Sequence, residues 1–454
     1  MTNHNHDKGA PAPFLLMEDH REAYFFWKEL GVREAVCVHV DAHLDTCGFK
    51  VPGYTGLRQP EVNCGNFLLP AMEEGLVSEL VWVIPPHLVG QQDWLEWAGN
   101  ELQNWLRPTV SDYLSLHMVQ GRVEGHLLGK RLVVCTSDNL PDLVGPVVLD
   151  IDIDYFLAPD DGLWQDPMQL HDQLGHLKWQ ALTVAYSVQG GYTPLDQRHL
   201  GDLTLVTFTD RKSAEALSAR LGEVDEDLPG WLRAAGFWRR GEAERAAELD
   251  PGWVERAIDQ VCGRLDRGRF EGCPSWLERL ESEDRTAAVY LDGYLAFRLQ
   301  DYAKAIDNWR ALLATESDRL TRRHLLEMVG LAQRVSGQAT AAVKTFIEAI
   351  RLDGNDASLW LQLARSQVEA GEGSRAARSY RRAVTLAPDL LDTQLAQLEL
   401  AQLYLALGQV SQARAQCARI LQVPAPRALK LQAEVLKLKA TNRKRDGSKT
   451  SQSE

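Results

Sequence analysis

The chain has 454 residues and a net charge of −14, and a chain of this length predicts two or three domains. Its 45% hydrophobic residues and 13 Trp exclude a disordered chain, and its acidic balance excludes a general nucleic-acid binder, which needs a basic face against phosphates. Scattered cysteines without CxxC spacing, a polar N-terminus and the lack of a long apolar stretch predict a cytoplasmic protein with no membrane span.

The first half of the sequence predicts an α/β fold. Short runs rich in Val, Ile and Leu alternate with amphipathic stretches such as 21–31 and 92–106, which read as helices. Nearly continuous apolar strands between helices are typical of a parallel sheet covered on both faces, so we expect a three-layer α/β domain over residues 1–235. The predicted strands are 34–41, 78–86, 130–136, 145–154 and 181–188.

The second half predicts helices only, arranged as repeats over residues 285–440. Alanines recur at nearly constant spacing, and each is followed by a larger side chain that would fill the gap between units. The alanines are Ala305, Ala342, Ala376 and Ala413, and the turn glycines expected before three of them are Gly337, Gly371 and Gly408. This pattern resembles tetratricopeptide repeats, and it predicts a solenoid that binds a protein partner or peptide.

Two flanking segments complete the predicted organisation. Residues 236–284 predict a helical connector that the sequence assigns to neither half. The polar, strongly charged end, residues 441–454, predicts a solvated and disordered tail.

Three aspartates alternate with isoleucines at the end of a predicted buried strand. In "GPVVLDIDID" (145–154), a β-strand would project Asp150, Asp152 and Asp154 from one face. Burying three carboxylates side by side is strongly unfavourable unless cations neutralise them. The pattern therefore predicts a cation site.

A second motif, "CVHVDAHLDT" (37–46), presents the same problem. Asp41, His43 and Asp45 stand on alternate positions at the end of another predicted strand. With Asp150, Asp152 and Asp154, these residues offer five carboxylates and one imidazole, a donor set that suits a divalent metal such as manganese. Two metal ions that share bridging carboxylates would use the whole set.

The order of these motifs resembles the arginase/deacetylase superfamily. "VDAHLD" is followed by "LDIDID" and preceded by "MEDHREA" (17–23), whose His20 matches a further histidine ligand of that family. The variant is most similar to the branch that includes peptide arginases, which remove urea from arginine side chains within a peptide. The resemblance covers about residues 14–210. It implies an arginase/deacetylase-like three-layer fold for this half.

The resemblance also implies two manganese ions and the residues that hold them. The first ion would be held by His20, Asp41, Asp45 and Asp152, and the second by His43, Asp41, Asp152 and Asp154. Asp45 would also be catalytic, orienting the attacking hydroxide and passing its proton to the leaving amine. Asp150 would orient a ligand or contact the substrate guanidinium.

Three further residues are candidates for the pocket, each with a plainer alternative. Asn66 in "NCGNFL" resembles a substrate-binding asparagine of arginases, whereas Asn63 beside it also fits a left-handed turn. Tyr192 in "QGGYTP" resembles a catalytic tyrosine of deacetylases, or is a packed turn residue. His87 is a substrate-binding candidate or merely solvated. His39 is expected to pack or to donate a supporting hydrogen bond rather than to bind metal.

Two departures from the arginase pattern bear on the substrate. Leu68 stands where arginases carry a histidine, and the glutamate that grips the guanidinium has no counterpart on 181–188. The leading interpretation is a binuclear manganese hydrolase that converts arginine in a peptide or protein to ornithine and urea, with the repeats recruiting substrate or partner. The alternatives are a deacetylase-like amidohydrolase with one zinc, and a repeat scaffold on a silent α/β domain.

Overall fold

The structure, a computed structural model, describes residues 12–46, 62–105, 108–159, 162–188, 192–254, 256–266 and 268–450. These residues form two compact units. The first contains the described parts of Met1–Gly48, Pro60–Leu106 and Ser115–Arg279, and the second contains those of Arg107–Leu114 and Leu280–Glu454. The predicted connector is helical, and its residues up to Arg279 belong to the first unit.

In the described part of the chain, eight strands form one sheet in the order β1-β8-β7-β2-β3-β6-β5-β4. The strands are β1 (Phe14–Met17), β2 (Ala35–Val40), β3 (Val77–Val83), β4 (His117–Val119), β5 (Arg122–Leu127), β6 (Lys130–Cys135), β7 (Val147–Asp152) and β8 (Trp179–Ala185). The six strands β1, β8, β7, β2, β3 and β6 pair in parallel. Strand β5 pairs antiparallel with β6, and β4 pairs antiparallel with β5 at the edge of the sheet. The largely parallel sheet is confirmed. The short strand β1 and the β4–β5 edge were not predicted.

Helices cover both faces of this sheet. Along β3, Leu80 and Trp82 belong to one buried cluster with helix α1, whereas Val81 and Val83 belong to another with α6. This alternation is what strands buried on both faces require. The helices before the repeats are α1 (Glu22–Glu29), α2 (Leu68–Glu73), α3 (Trp94–Trp105), α4 (Val110–Ser115), α5 (Pro167–Leu174), α6 (His199–Thr209), α7 (Arg211–Ser218), α8 (Gly230–Arg239), α9 (Ala243–Leu249), α10 (Ala257–Asp266) and α11 (Cys273–Glu283).

Both acidic motifs leave their strands earlier than the sequence predicted. Strand β2 ends at Val40, so Asp41, His43 and Asp45 follow it in a loop. Strand β7 ends at Asp152, and Asp154 lies on a 3-10 turn, Ile153–Phe156. The prediction of three carboxylates on one strand face was therefore wrong. The side chain of Asp152 accepts a hydrogen bond from the backbone N–H of Asp154, which stabilises the turn.

The second unit consists mainly of antiparallel helical hairpins. Its helices are α12 (Arg285–Arg298), α13 (Tyr302–Thr315), α14 (Arg319–Val335), α15 (Ala339–Leu352), α16 (Ala357–Glu369), α17 (Gly373–Leu386), α18 (Leu391–Ala406), α19 (Val410–Gln422) and α20 (Arg427–Thr450). Side chains of Asp284, Asp301, Asp318 and Asp356 cap four of them. Helical repeats are confirmed.

Glycines have two distinct uses in these hairpins. The predicted turn glycines Gly337, Gly371 and Gly408 all have positive φ, which favours glycine at a helix C-terminus. Gly330 instead lies in α14, where a Cβ would approach the ring of Phe346 to 2.8 Å. The aromatic side chain therefore fills the close crossing inside its own hairpin, α14–α15, as well as facing the next unit.

The end of the chain differs from the prediction. Helix α20 continues to Thr450, so the tail predicted as disordered over 441–454 is helical up to that residue. Its Lys and Arg residues are strong helix formers, which favours the extension. Residues 451–454 lie outside the described part. Within the described residues, no helix combines the length and apolar composition needed to cross a membrane.

Candidate metal centre

Four neighbouring strands bring the predicted ligands together at one edge of the sheet. In the order β1-β8-β7-β2, Val40 pairs with Ile151 and Asp152 pairs with Ala185. The segments that follow the carboxyl ends of these parallel strands therefore meet. They supply His20 after β1, the Asp41–Asp45 loop after β2, and Asp152 with Asp154 at the end of β7.

One group of donors surrounds the imidazole of His20. Its Nδ1 lies 3.0 Å from Asp45 Oδ2, 3.1 Å from Asp152 Oδ2 and 3.6 Å from Asp41 Oδ2. Yet His20 Nδ1 and Asp41 Oδ2 are buried and make no hydrogen bond with the described residues. Buried polar atoms are normally satisfied, so an imidazole nitrogen and a carboxylate oxygen that lie 3.6 Å apart without hydrogen-bond partners can together hold a cation.

A second group forms around His43. Its Nδ1 lies 2.7 Å from Asp154 Oδ2 and 3.5 Å from Asp41 Oδ1. Asp41 thus offers one carboxylate oxygen to each group. The sets His20, Asp41, Asp152 and Asp41, His43, Asp154 each place their donor atoms close enough to hold a metal ion. The structure therefore contains buried His and Asp groups that can bind metal.

Asp150 lies deeper than a substrate contact requires. It is fully buried, and its carboxylate meets Thr183 Oγ1 at 2.5 Å, His39 Nδ1 at 2.8 Å and His20 Nε2 at 3.0 Å. Of its two predicted roles, this position fits the orientation of His20, because both oxygens are engaged with Thr183, His39 and His20, and the guanidinium contact stays a prediction. His39 is also fully buried and contacts the same Asp150 carboxylate through Nδ1, which fits a supporting residue.

Local backbone conformation helps to aim the donors. Asp45 has φ 49° and Ser187 has φ 48°, in the left-handed region that non-glycine residues rarely adopt. The Ser187 hydroxyl donates a hydrogen bond to Asp152 Oδ2, the oxygen nearest His20 Nδ1. Such positions concentrate at functional sites, because the surrounding structure must hold them.

Without a cation, this cluster favours bound protons. Burial raises the pKa of Asp41 well above its usual value, and the neighbouring aspartates raise it further. Burial lowers the pKa of His20 and His43, but the surrounding aspartates, led by Asp150 for His20 and by Asp154 for His43, together outweigh that effect, so both pKa values are raised well above normal. A metal ion would supply the positive charge that these protons otherwise provide.

A cavity of about 210 Å³ opens over the donors. It is lined by Glu18, Asp19, His20, His43, Asp45, Cys64, Gly65, Asp152, Ser187, Tyr192 and Arg256. The ring of Tyr192 lies 4.5 Å from that of His43, so this residue stands at the cavity wall, and its catalytic role stays a prediction. Gln189, Gly190 and Gly191 of the same motif lie outside the described residues.

Two other predicted pocket residues do not line the cavity. Asn66 is buried, and its Oδ1 accepts the backbone N–H of Asn63, which fits a turn before α2. Asn63 does not have the left-handed φ considered for it. His87 packs its ring edge-on to Trp164, and burial lowers its pKa. Neither position matches the predicted substrate contact.

Several cavity residues were missed by sequence reasoning. Glu18 and Asp19 directly precede His20, so the motif that revealed the ligand also contained them. Cys64 lies within the motif "NCGNFL", and Ser187 lies within the predicted strand 181–188. Arg256 carried no signal, because it comes from the connector, far along the chain from every acidic motif.

Comparison with known proteins gives little further identification. No family model and no curated protein matches the chain. Solved structures similar to it include a fragment of MamA from Desulfovibrio magneticus, with 15% identity and a TM-score of 0.33 over 37% of this chain and 92% of that chain. A thermophilic TPR protein from Thermus thermophilus has 25% identity and a TM-score of 0.29, over 40% and 97%.

A third similar structure is the C-terminal part of a TPR repeat-containing protein from Cytophaga hutchinsonii. It shares 16% identity at a TM-score of 0.35, over 50% of this chain and 96% of that chain. Scores of this size decide nothing about function. The helical repeats of this chain are established by their own hairpin contacts.

Proposed function

We propose that the chain is a hydrolase of the ureohydrolase type that uses two divalent metal ions, preferably manganese. It would convert arginine in a peptide or protein to ornithine and urea, on a first unit of the arginase/deacetylase-like fold. The observation that carries the proposal is the pair of orphaned buried atoms, His20 Nδ1 and Asp41 Oδ2, among carboxylates.

The donor set suits this proposal. Carboxylate oxygens outnumber imidazole nitrogens, which favours a hard or borderline cation such as Mn²⁺ over sites built from thiolates. His20, Asp41, Asp45 and Asp152 would hold one ion, and His43, Asp41, Asp152 and Asp154 the other. When bound, such ions acidify a water molecule and stabilise negative charge at the reacting centre.

The chain's own residues would orient the reaction. Asp45 lies 3.0 Å from His20 and lines the cavity, so its carboxylate can hold a proton and pass it to a leaving amine. Asp150 keeps the His20 ring in place through Nε2. Tyr192, against His43, can direct its hydroxyl towards a substrate.

The size of the cavity supports a side-chain substrate. Its volume of about 210 Å³ is below the roughly 300–1,000 Å³ typical of pockets that enclose whole ligands. A single side chain, carried on a backbone that stays outside, fits this volume. The helical repeats are suited to recruit such a peptide or a protein partner.

Metal content tests the proposal. We would reconstitute the full chain with manganese, desalt it, and measure bound metal by elemental mass spectrometry for the wild type, Asp152→Asn and the exposed control Asp142→Asn. Two manganese ions per chain, lost only in Asp152→Asn, together with urea release from arginyl peptides, are the expected results. One bound zinc would favour a deacetylase-like amidohydrolase instead, and no bound metal would favour a repeat scaffold.

A further inference from the structure

One buried arginine joins the connector to the start of helix α6. Arg198, at the start of α6, is 4% exposed, and its Nε and Nη2 lie 3.2 and 3.3 Å from the two carboxylate oxygens of Asp250. Gly252 makes this approach possible, since a Cβ there would lie 2.0 Å from the guanidinium carbon of Arg198. The same guanidinium pairs with Glu18, which lines the cavity.

The neighbouring connector residues are equally constrained. Trp253 is 1% exposed and belongs to the buried cluster that also contains side chains of β7, β8 and α6. Gly252 donates its backbone N–H to Asp250 Oδ1 at 3.0 Å. The chain is therefore held at residues 250–253, and the side chain of Arg256, a few residues further on, lines the cavity.

Arg256 gives the cavity its distinct charge. Among the described residues that line it, Arg256 is the only Arg or Lys side chain. An incoming molecule therefore meets this cationic group beside the metal donors.

We infer that Arg256 is a specificity-determining residue that binds a carboxylate or carbonyl oxygen of the substrate beside the carbon that carries the reacting side chain. The inference rests on the proposed function, because it concerns how the same substrate is bound at the end remote from its reacting group. Guanidinium hydrogen bonds to such oxygens are directional and charge-assisted. A substrate side chain attached to a backbone is then held at two points, the metal centre and Arg256. A free amine or guanidine is held only at the metal centre.

Direct binding to the manganese-loaded full chain tests this inference by calorimetry. The probes are N-acetylornithine, which carries a carboxylate, its N-methylamide, which carries only carbonyls, and 1,4-diaminobutane, which carries neither. The variants are Arg256→Ala, Arg256→Lys and the control Arg240→Ala, an exposed connector arginine that does not line the cavity. Metal content is measured for each protein.

We expect Arg256→Ala to weaken binding of the oxygen-bearing probes about tenfold or more, with 1,4-diaminobutane and metal content unchanged. Arg256→Lys should keep part of the preference, and Arg240→Ala all of it. A stronger effect on the N-methylamide than on the acid would assign the contact to a backbone carbonyl, and the reverse to a carboxylate.

Equal binding of all probes by wild type, or an Arg256→Ala variant that binds them as wild type does, overturns the inference. Urea release from an arginyl peptide reports separately on the proposed function. If no urea forms while the oxygen-dependent preference persists, the reaction is wrong and the role of Arg256 stands.

Discussion

Asp150 Oδ2 lies 3.0 Å from His20 Nε2, in a place that solvent does not reach. Burial alone would raise the pKa of Asp150, but the charge and hydrogen bonds of His20, together with His39, lower it well below its usual value. An ionised carboxylate only accepts hydrogen bonds, so Nε2 of His20 carries the proton in this contact. The opposite nitrogen, Nδ1, is thereby directed at the metal-binding carboxylates.

This relationship predicts that Asp150→Asn weakens metal binding without removing a ligand. The amide keeps the volume but loses the charge that holds the His20 ring. We expect about a 10- to 100-fold loss of manganese affinity, the range seen when such supporting partners are changed. Metal titration of the variant beside Asp142→Asn measures the effect. Wild-type affinity in Asp150→Asn would rule out the orienting role.

Metal binding should release protons and weaken as the pH falls. In the metal-free state the pKa values of His20 and His43 are raised well above normal, whereas a metal ligand must be unprotonated. Lower pH favours the protonated, metal-free state, so manganese affinity should decrease with falling pH. Calorimetric titrations in two buffers of different ionisation enthalpy count the protons. A heat that is independent of the buffer would contradict the prediction.

A separate pH effect should come from Asp202 in α6. Burial raises the pKa of its carboxyl to about 6, from an ordinary value of 3.8, while Tyr186 donates a hydrogen bond to it over 2.6 Å. The folded state therefore holds the proton more tightly than the unfolded state. Its stabilising contribution is fully present below pH 3.8 and is lost as the pH rises through about 6.

Asp202→Asn removes this dependence because the amide stays neutral. Relative to wild type, the free energy of unfolding of the variant should increase by about 3 kcal/mol between roughly pH 4 and pH 7, at about 1.36 kcal/mol per pKa unit. Urea denaturation over this range measures it, with Asp142→Asn expected to run parallel to wild type. Parallel curves for Asp202→Asn would show that the buried carboxyl does not titrate there.

The close crossing in the repeats gives a packing prediction. A Cβ at Gly330 would lie 2.8 Å from the ring of Phe346, which is fully buried, so Gly330→Ala should cost about 1–3 kcal/mol of stability in the second unit. Gly354→Ala is the control, since its Cβ would lie 3.5 Å from the nearest atom and the position is exposed. Thermal unfolding compares them. Equal unfolding midpoints for the two variants would mean that the α14–α15 crossing accommodates the added methyl group without loss of stability.

The sequence alone determined the α/β half, the helical repeats and the set of His and Asp side chains that gather at one sheet edge. Apolar strands, turn glycines such as Gly371 and the spacing of Asp41 from His43 are local patterns, and local patterns persist in the fold. Only the tertiary structure decided that Asp150 forms a hydrogen bond with His20 Nε2, that Asn66 belongs to a turn, and that Arg256 lines the cavity. These outcomes depend on contacts between residues far apart in the chain, whose burial and distances no spacing specifies.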